Sequence, residues 1–331
     1  MGTILILTGD HEQADPTKWD GAYSADDLEL HDAMVEAFRS LKGRTFDVLT
    51  RHAELLDRLR DDPPAFVVNF CDTGYDNRAT QELHVPALLE VFGVPYTGSG
   101  PQAMVLCYDK ALVRLLAQDL DVPVPHEAVI GPDDTIPALT FPSLIKPARG
   151  DGSVGINTNA VVHSQEEAER QLTWFRENLP GEPALVQEYL PGPEYGLALI
   201  GNPGHGFRAL PPLEVDFSAL PDHLPKILAF ESKTGPDTDY GRVKVRRAEL
   251  DADVIAELRT RAERLFARLG CRDYARFDFR TGADGAIKLM EVNPNPAWSH
   301  AAKLALMARF DGLEYRDLLE LILTTAERRA R

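Results

Sequence analysis

The chain has 331 residues, of which 44% are hydrophobic, and its formal net charge at pH 7 is -17. This length predicts two or three domains, and the acidic balance argues against a nucleic-acid partner, which would need clustered Lys and Arg. The sequence contains neither a recognisable targeting signal nor an apolar run near the ~20 residues that span a bilayer. We therefore expect a cytoplasmic protein without a membrane partner, with Cys71, Cys107 and Cys271 as reduced core thiols.

Residues 1–107 alternate short apolar runs with helical patterns, including a helix predicted from Ser24 to Leu41. The strand-like runs are residues 3–7, 45–50 and 65–70. This alternation predicts a parallel, Rossmann-like sheet that is covered by helices on both faces. Ligands of such sheets bind beyond the carboxyl ends of the strands, where this chain has loops at residues 8–23 and 71–80.

The first of these loops contains Asp10, His11, Glu12 and Asp15. A solvated connection and a lid that faces the substrate explain it equally well, because ordinary loops are much shorter. We regard Asp10–Tyr23 as a candidate site for an ammonium group.

The middle of the chain is expected to form a helix at residues 109–120 and strands at residues 122–130 and 141–148. Residues 150–155, GDGSVG, then match the pattern GxGxxG. A dinucleotide-binding fold needs a helix directly after that match, yet residues 156–162 look extended, so we reject this interpretation. The loop is either a flexible hairpin turn or a turn whose amides close over phosphates. Lys146 favours the second alternative, because a buried ammonium needs a partner anion.

A polar interruption follows the next helix, which opens with a capping box at residues 164–167. The interruption is either a linker between two lobes or a hinge that holds adenine. In the second case, backbone groups around Gln187, Glu188, Tyr189 and Leu190 would recognise the base edge, and Glu194 would accept the ribose hydroxyls.

Residues 276–293 alternate with period two on either side of a turn signal at residues 281–285, which predicts a β-hairpin. The side chains expected on the apolar face are Phe277, Phe279, Met290 and Val292. The opposite face would carry Arg276, Asp278, Glu291 and Asn293. A solvated face is the ordinary explanation, but carboxylate and amide oxygens without thiolate or imidazole suit Mg²⁺, which also binds phosphate oxygens. The hairpin therefore predicts a metal-bound nucleotide.

The ordered motifs DK (109–110), IKPARGDGSVG, VQEYLPGPEY, ESK, YARFDFR and LMEVNPNP resemble the ATP-grasp superfamily, most closely its D-alanine:D-alanine ligase branch. The resemblance runs from Gly93 to Asn295. It implies an α/β ATP-grasp fold with a pre-ATP-grasp domain at residues 1–107. Two α+β lobes, residues 108–190 and 191–331, would grip ATP between them.

The resemblance also implies roles for individual residues. The nucleotide-binding set is Lys110, Lys146, Gly152, Ser153, Val154, Gly155, Gln187, Glu188, Tyr189, Leu190 and Glu194. Asp278, Glu291 and Asn293 would hold Mg²⁺, with Mn²⁺ as an alternative. Lys233 would lie near the γ-phosphate, and Arg276 would steady the transferred phosphoryl group and the oxyanion. Together these residues imply an ATP-dependent carboxylate-amine ligase that works through an acyl phosphate and joins amino acids or amino-acid-like molecules.

The amino-acid half departs from the family pattern. The family has a glycine-rich first loop with a substrate-binding glutamate, which a serine and a tyrosine support. In this chain residues 8–21 stand in place of that loop, Gly152 in place of the serine and Thr234 in place of the tyrosine. These departures favour substrates other than two D-alanines. Trp298, Ser299 and His300 either border the acceptor pocket or start a helix, with Ser299 near the cap.

Two rival functions are an ATP-grasp phosphorylating or carboxylating enzyme and a regulatory protein that binds the nucleotide without turnover.

Two further elements are predicted helices, residues 251–269 and residues around 301–327, with apolar faces suited to packing on the sheet. Four apolar residues near the C-terminus could instead form a homodimer contact, namely Leu318, Leu319, Ile322 and Leu323.

Overall fold

The computed structural model describes residues 2–15, 18, 21–150, 155–221, 223–228 and 242–331. The first described sheet has the order β2-β1-β3, and β1 pairs in parallel with both neighbours. Its elements are β1 (Ile4–Thr8), α1 (Ala25–Arg39), β2 (Phe46–Leu49), α2 (Leu55–Asp61), β3 (Phe66–Phe70) and α3 (His84–Val91). Every residue of β1 is buried, and α1 begins after a capping box at Ser24. The predicted parallel sheet at the N-terminus is confirmed.

The second described sheet is antiparallel and has the order β4-β7-β5-β6. Its elements are α4 (Pro101–Tyr108), α5 (Lys110–Asp119), β4 (Glu127–Ile130), β5 (Ser143–Pro147), β6 (Val161–Val162), α6 (Gln165–Asn178) and β7 (Ala184–Glu188). Asp109 caps α5, since its carboxylate accepts the Leu112 N–H at 3.0 Å. The extended segment expected at residues 156–162 forms a strand only at its last two residues.

The third described sheet has the order β11-β10-β8-β12-β13, and β9 pairs with β8. Its strands are β8 (Glu194–Asn202), β9 (Gly206–Ala209), β10 (Leu213–Asp216), β11 (Lys244–Arg247), β12 (Tyr274–Thr281) and β13 (Ile287–Asn293). The helices of this part of the chain are α7 (Ala252–Leu269), α8 (Lys303–Phe310) and α9 (Tyr315–Arg329). The central strand β8 is buried along its whole length.

The β12–β13 hairpin is confirmed, but one of its apolar residues is on the other side. The strands pair Phe277 with Val292 and then, across a bulge, Phe279 with Leu289. The extra residue of the bulge shifts the alternation by one position. Leu289 therefore packs in the core with Phe277 and Phe279, whereas Met290 lines a cavity. The prediction that Met290 belongs to the apolar face is wrong.

The C-terminal helix α9 packs into the main hydrophobic core. Leu318, Leu319, Ile322 and Leu323 are fully buried there, so the alternative that these side chains form a homodimer contact is wrong. All three cysteines are buried and free, as expected. None of the helices in the described part of the chain has the length and apolarity needed to cross a membrane.

Candidate active site

A cavity of about 550 Å³ lies where the three sheets meet. Each sheet contributes polar side chains to its lining. They include Asp72 and Thr73 after β3, Lys110 at the start of α5, Lys146 on β5, Glu194 on β8, Arg276 and Asp278 on β12, and Glu291 and Asn293 on β13. The structure thus brings together the two lysines, Glu194 and the hairpin residues, which the sequence predicts as site residues at separate places.

The polar face of the hairpin is organised by strand register. Arg276 lies opposite Asn293 and Asp278 lies opposite Glu291, so all four residues occupy adjacent positions on two strands. The Arg276 guanidinium donates to both carboxylate oxygens of Asp278, at 2.8 and 2.9 Å. The Asn293 amide donates to Asp278 Oδ2 at 3.2 Å. This face is therefore an ordered charge cluster inside a cavity, and the ordinary explanation of a solvated hairpin face does not apply.

Burial and charge pairing oppose each other at this cluster. Burial favours a neutral Asp278, but the Arg276 guanidinium prevails and holds the pKa of Asp278 below its ordinary value. Burial would likewise lower the pKa of Arg276, yet the charge of Asp278 raises it. Both groups are therefore ionised at neutral pH. For Glu194 burial prevails over the charges of Lys303 and Arg280, and its pKa is raised.

Two lysines face the hairpin across the cavity. Lys110 is the first residue of α5, where its N–H donates to the Ala148 carbonyl at 3.0 Å and brings α5 against the end of β5. Lys146 is 3% exposed on β5. Burial lowers the pKa of Lys146 to about 8. The charge of Glu291 opposes this shift, and the charge of Lys110 adds to it. This pair of ammonium groups is suited to a polyanion, which would compensate both charges.

Arg280 and Lys303 are charged cavity residues that the sequence reasoning missed. Arg280 follows Arg276 and Asp278 at the period-two spacing of β12, a signal that could have identified it. Its guanidinium lies 3.4 Å from Glu194 Oε2 and over the Tyr189 ring, 5.5 Å from the centroid. Lys303, at the start of α8, lines the cavity and acts electrostatically on Glu194 and Asp278. Nothing in the sequence pattern marks Lys303.

The predicted adenine hinge lies beside the cavity, and its four residues are not among the side chains that line it. The Gln187 amide donates to Glu127 at 2.8 Å, and Lys288 donates to both carboxylate oxygens of Glu188 at 3.0 and 3.1 Å. The Tyr189 N–H donates to the Pro142 carbonyl at 3.1 Å. The side chains of Gln187 and Glu188 thus stabilise the strand through these contacts.

Several predicted site residues lie outside the described residues, namely Gly152, Ser153, Val154 and Lys233. Gly155, at the end of the glycine-rich loop, has a φ of +78°. A Cβ added there would lie 2.5 Å from Leu179 Cδ1 and 2.9 Å from Pro147 Cγ. Glycine is therefore required at this position both by its conformation and by its close neighbours.

The described residues of the loop after β1, the candidate site for an ammonium group, make contacts within the protein. Asp10 accepts the N–H groups of Glu12 and His52, each at 3.0 Å. The Glu12 carboxylate is mostly exposed, 3.4 Å from Arg51. Of the four candidates, His11 contributes to the lining of a smaller neighbouring cavity. Asp10 thus stabilises the loop conformation, and the ammonium site at Asp10 or Glu12 is not supported.

The segment after the hairpin also differs from expectation. Trp298 is 1% exposed and packs against Phe38, Phe70 and Tyr274, so it is a core residue and does not border a pocket. His300 is exposed, and helix α8 starts at Lys303 with Ala302 as its cap. Ser299 is therefore not near the helix start, but it lines the smaller cavity.

Comparisons with known proteins agree with this architecture. A family model described as "D-ala D-ala ligase C-terminus" matches residues 129–324. The "Uncharacterized protein y4sG" of Sinorhizobium fredii is 33% identical over 253 residues, covering 74% of this chain and 70% of that protein. The "D-alanine--D-alanine ligase" of Stutzerimonas stutzeri is 31% identical over 300 residues, covering 89% and 85%.

Among solved structures, the D-alanine--D-alanine ligase from Bacillus anthracis complexed with ATP has a TM-score of 0.71 and 18% sequence identity. The match covers 100% of this chain and 98% of that chain. This likeness confirms the predicted ATP-grasp fold.

Proposed function

Because the chain belongs to the D-alanine--D-alanine ligase family and is an ATP-dependent ligase that forms an amide bond, we propose that it joins two amino-acid-like substrates through an acyl phosphate. The observation that carries this proposal is the placement of Arg276, Asp278, Glu291 and Asn293 opposite two lysines across one cavity. The fixed charges on both sides of the cavity suit a phosphoryl group in transit from ATP to a carboxylate.

The donor set of the hairpin fits a divalent cation. Asp278, Glu291 and Asn293 supply only carboxylate and amide oxygens, which Mg²⁺ prefers. Arg276 and Asn293 together donate three hydrogen bonds to Asp278. A carboxylate offers about four acceptor sites in all, so about one position remains on Asp278. When bound, the ion would neutralise negative charge on the phosphates.

The remaining groups would act by position and charge. Lys110 and Lys146 would hold the β- and γ-phosphates, Glu194 the ribose hydroxyls, and the backbone around Leu190 the adenine. An oxygen of the first substrate's carboxylate attacks the γ-phosphorus, and ADP leaves. The amine of the second substrate then attacks the acyl carbon and loses a proton, and phosphate leaves as the amide forms. Arg276 would stabilise the oxyanion of that second step.

The amino-acid half supports substrates that differ from two D-alanines. The loop after β1 has no glutamate positioned as an ammonium ligand among its described residues, because Asp10 and Glu12 have other partners. We propose on this basis that at least one substrate is not D-alanine.

The test is ADP release from purified protein, ATP and Mg²⁺ with pairs of L- and D-amino acids, followed by product mass. Release that needs both substrates, with an amide product of matching mass, supports the proposal. ADP release with a single carboxylate and no amide would favour the phosphorylating rival, and efficient use of D-alanine alone would contradict the substrate proposal.

A further inference from the structure

Arg280 is a buried cation in the wall of the main cavity. It is 2% exposed and lines the cavity, and the proposed mechanism gives it no role. Strand register places it directly opposite Glu194, because β12 and β8 pair these two residues. A buried charge costs free energy unless it is paired and hydrogen-bonded, so the partners of Arg280 indicate what this residue does.

Two backbone carbonyls and two aromatic rings fix the guanidinium of Arg280. Its Nε donates to the Gly192 carbonyl at 3.2 Å, and one terminal nitrogen donates to the Lys226 carbonyl. The guanidinium carbon lies 5.5 Å from the centroid of the Tyr189 ring and 5.3 Å from that of the Phe217 ring. Both distances are typical of cation–π contacts. Arg280 is therefore a donor held in one position.

The contact between Arg280 and Glu194 leaves one carboxylate oxygen unused. The other terminal nitrogen of Arg280 donates to Glu194 Oε2 at 3.4 Å. This is a single hydrogen bond, whereas arginine often binds both oxygens of a carboxylate. No residue in the described part of the chain donates to Glu194 Oε1, and this oxygen is not enclosed by the protein. Glu194 Oε1 can therefore accept a hydrogen bond from a ligand in the cavity.

A ribose hydroxyl needs a carboxylate oxygen that is accessible and held in one orientation. A free glutamate side chain loses rotamer entropy when a ligand fixes it, and this loss weakens binding. Arg280 restricts Glu194 before the nucleotide binds, because its own position is fixed by other contacts. The pair is therefore organised in advance for a hydroxyl donor.

We propose that Arg280 is a positioning residue for the nucleotide, which holds the Glu194 carboxylate in the orientation that accepts the ribose hydroxyls and so sets a preference for ATP over deoxyATP. The inference rests on the proposed function, since that function assigns Glu194 to the ribose. An arginine that only stabilised the pairing of β8 with β12 would affect the binding of ATP and deoxyATP alike. The preference between the two sugars is therefore a readout that a purely structural role would not change.

The first test measures the Kd values of ATP, 2′-deoxyATP and 3′-deoxyATP by calorimetry, with Mg²⁺ and without amino acids. The sugar preference is the Kd of the weaker-binding deoxynucleotide divided by the Kd of ATP. In the wild-type protein it should be at least about tenfold, because a hydrogen bond to a charged group is lost. Arg280→Met, whose flexible side chain fits between the two rings, should lower the sugar preference by about tenfold.

Further variants show whether Arg280 acts through Glu194. Glu194→Gln should lower the sugar preference as Arg280→Met does, and the double variant should show no further loss. Arg280→Lys keeps the charge without the planar guanidinium and should also lower the preference, so it replaces Arg280→Met if that variant does not fold. The matched control is Arg246→Met on β11 of the same sheet. It removes an exposed arginine 2.9 Å from Glu214 and should keep the wild-type preference.

Three results would overturn the inference. They are a wild-type protein that binds ATP and both deoxynucleotides equally, a preference unchanged in both Arg280→Met and Arg280→Lys, and a loss in Arg280→Met that is equally large with Glu194→Gln present. Because the Kd values are measured without turnover, these results differ from failure of the proposed function, which is the absence of ADP release with any substrate pair.

Discussion

The two sides of the main cavity are built in different ways. The side proposed to bind the nucleotide uses regular elements, with Lys146 on β5, Lys110 at the start of α5 and the polar face of the β12–β13 hairpin. The side proposed to bind the amino acids uses loops, namely those after β1 and β3 and the segment between β13 and α8. Strand register fixes the positions of polar side chains on the first side, whereas long-range hydrogen bonds fix them on the second. The residues proposed to bind the nucleotide and the metal ion therefore lie on regular elements, whereas the side proposed to contact the amino acids is built from loops.

The largest effect is expected from Arg276→Lys, which tests the rigid side. Lysine keeps the charge but loses the two-point contact with Asp278. We expect kcat to fall by about 10²–10³, as for the loss of one oxyanion donor, with every substrate pair that the enzyme accepts.

Steady-state ADP release measures this effect, and thermal unfolding checks the fold. Arg259→Lys on the exposed face of α7 is the matched control and should leave kcat unchanged. A defect in Arg276→Lys that appears with one substrate pair and not with another would assign Arg276 to the amino-acid side.

Metal dependence probes the same hairpin. Glu291→Gln should raise the Mg²⁺ concentration for half-maximal ADP release by at least about tenfold, because it removes a charged oxygen donor. Its matched control, Glu263→Gln on α7, replaces the half-buried partner of Arg259, which lies outside the main cavity. An unchanged Mg²⁺ requirement in Glu291→Gln would show that the proposed donor set is incorrect.

The loop side is tested by His52→Leu. The His52 ring accepts the Asp76 N–H at 2.7 Å and lies 2.8 Å from the Thr8 carbonyl, so it joins the loops after β1 and β3. Its loss leaves buried backbone groups without partners and should lower the free energy of unfolding by about 1–3 kcal/mol.

In the same His52→Leu variant we expect a higher KM for the amino acids and an unchanged Kd for ATP. Equilibrium ATP binding measures the Kd for ATP, and initial rates measure the KM for the amino acids. Weakened ATP binding in a variant that remains folded would contradict the proposed separation of the nucleotide side from the amino-acid side.

A smaller effect is expected from pH. Because the pKa of Lys146 is lowered to about 8, this ammonium group loses its proton as the pH rises through 8, and its attraction for phosphate is lost with it. The Kd for ATP should therefore rise by up to about tenfold per pH unit above 8 and be constant below. Lys146→Met should bind ATP weakly at every pH, and an alkaline rise that persists in this variant would point to another group.

The sequence predicted the rigid side well for a physical reason. Period-two alternation reports which strand residues share a face, so the alternation alone places Arg276, Asp278, Glu291 and Asn293 on one surface of the hairpin. The same rule failed at Met290, because a bulge adds a residue that the alternation does not announce.

The loop side could not be predicted in this way. Asp10 takes its partners from His52 and Asn77, which lie 42 and 67 residues away in the chain. Trp298 is a core residue because it packs against Phe38 and Phe70, and both of these neighbours are distant in the sequence. Such contacts depend on tertiary structure, and composition or spacing does not reveal them.

The acyl phosphate is the central claim and can be tested directly with substrate labelled with ¹⁸O in its carboxylate. If this carboxylate attacks the γ-phosphorus, one labelled oxygen leaves with phosphate when the amine attacks. We predict one ¹⁸O atom in each phosphate released and one fewer in the amide product, as read by mass spectrometry. Phosphate without label, formed together with amide, would contradict the mechanism.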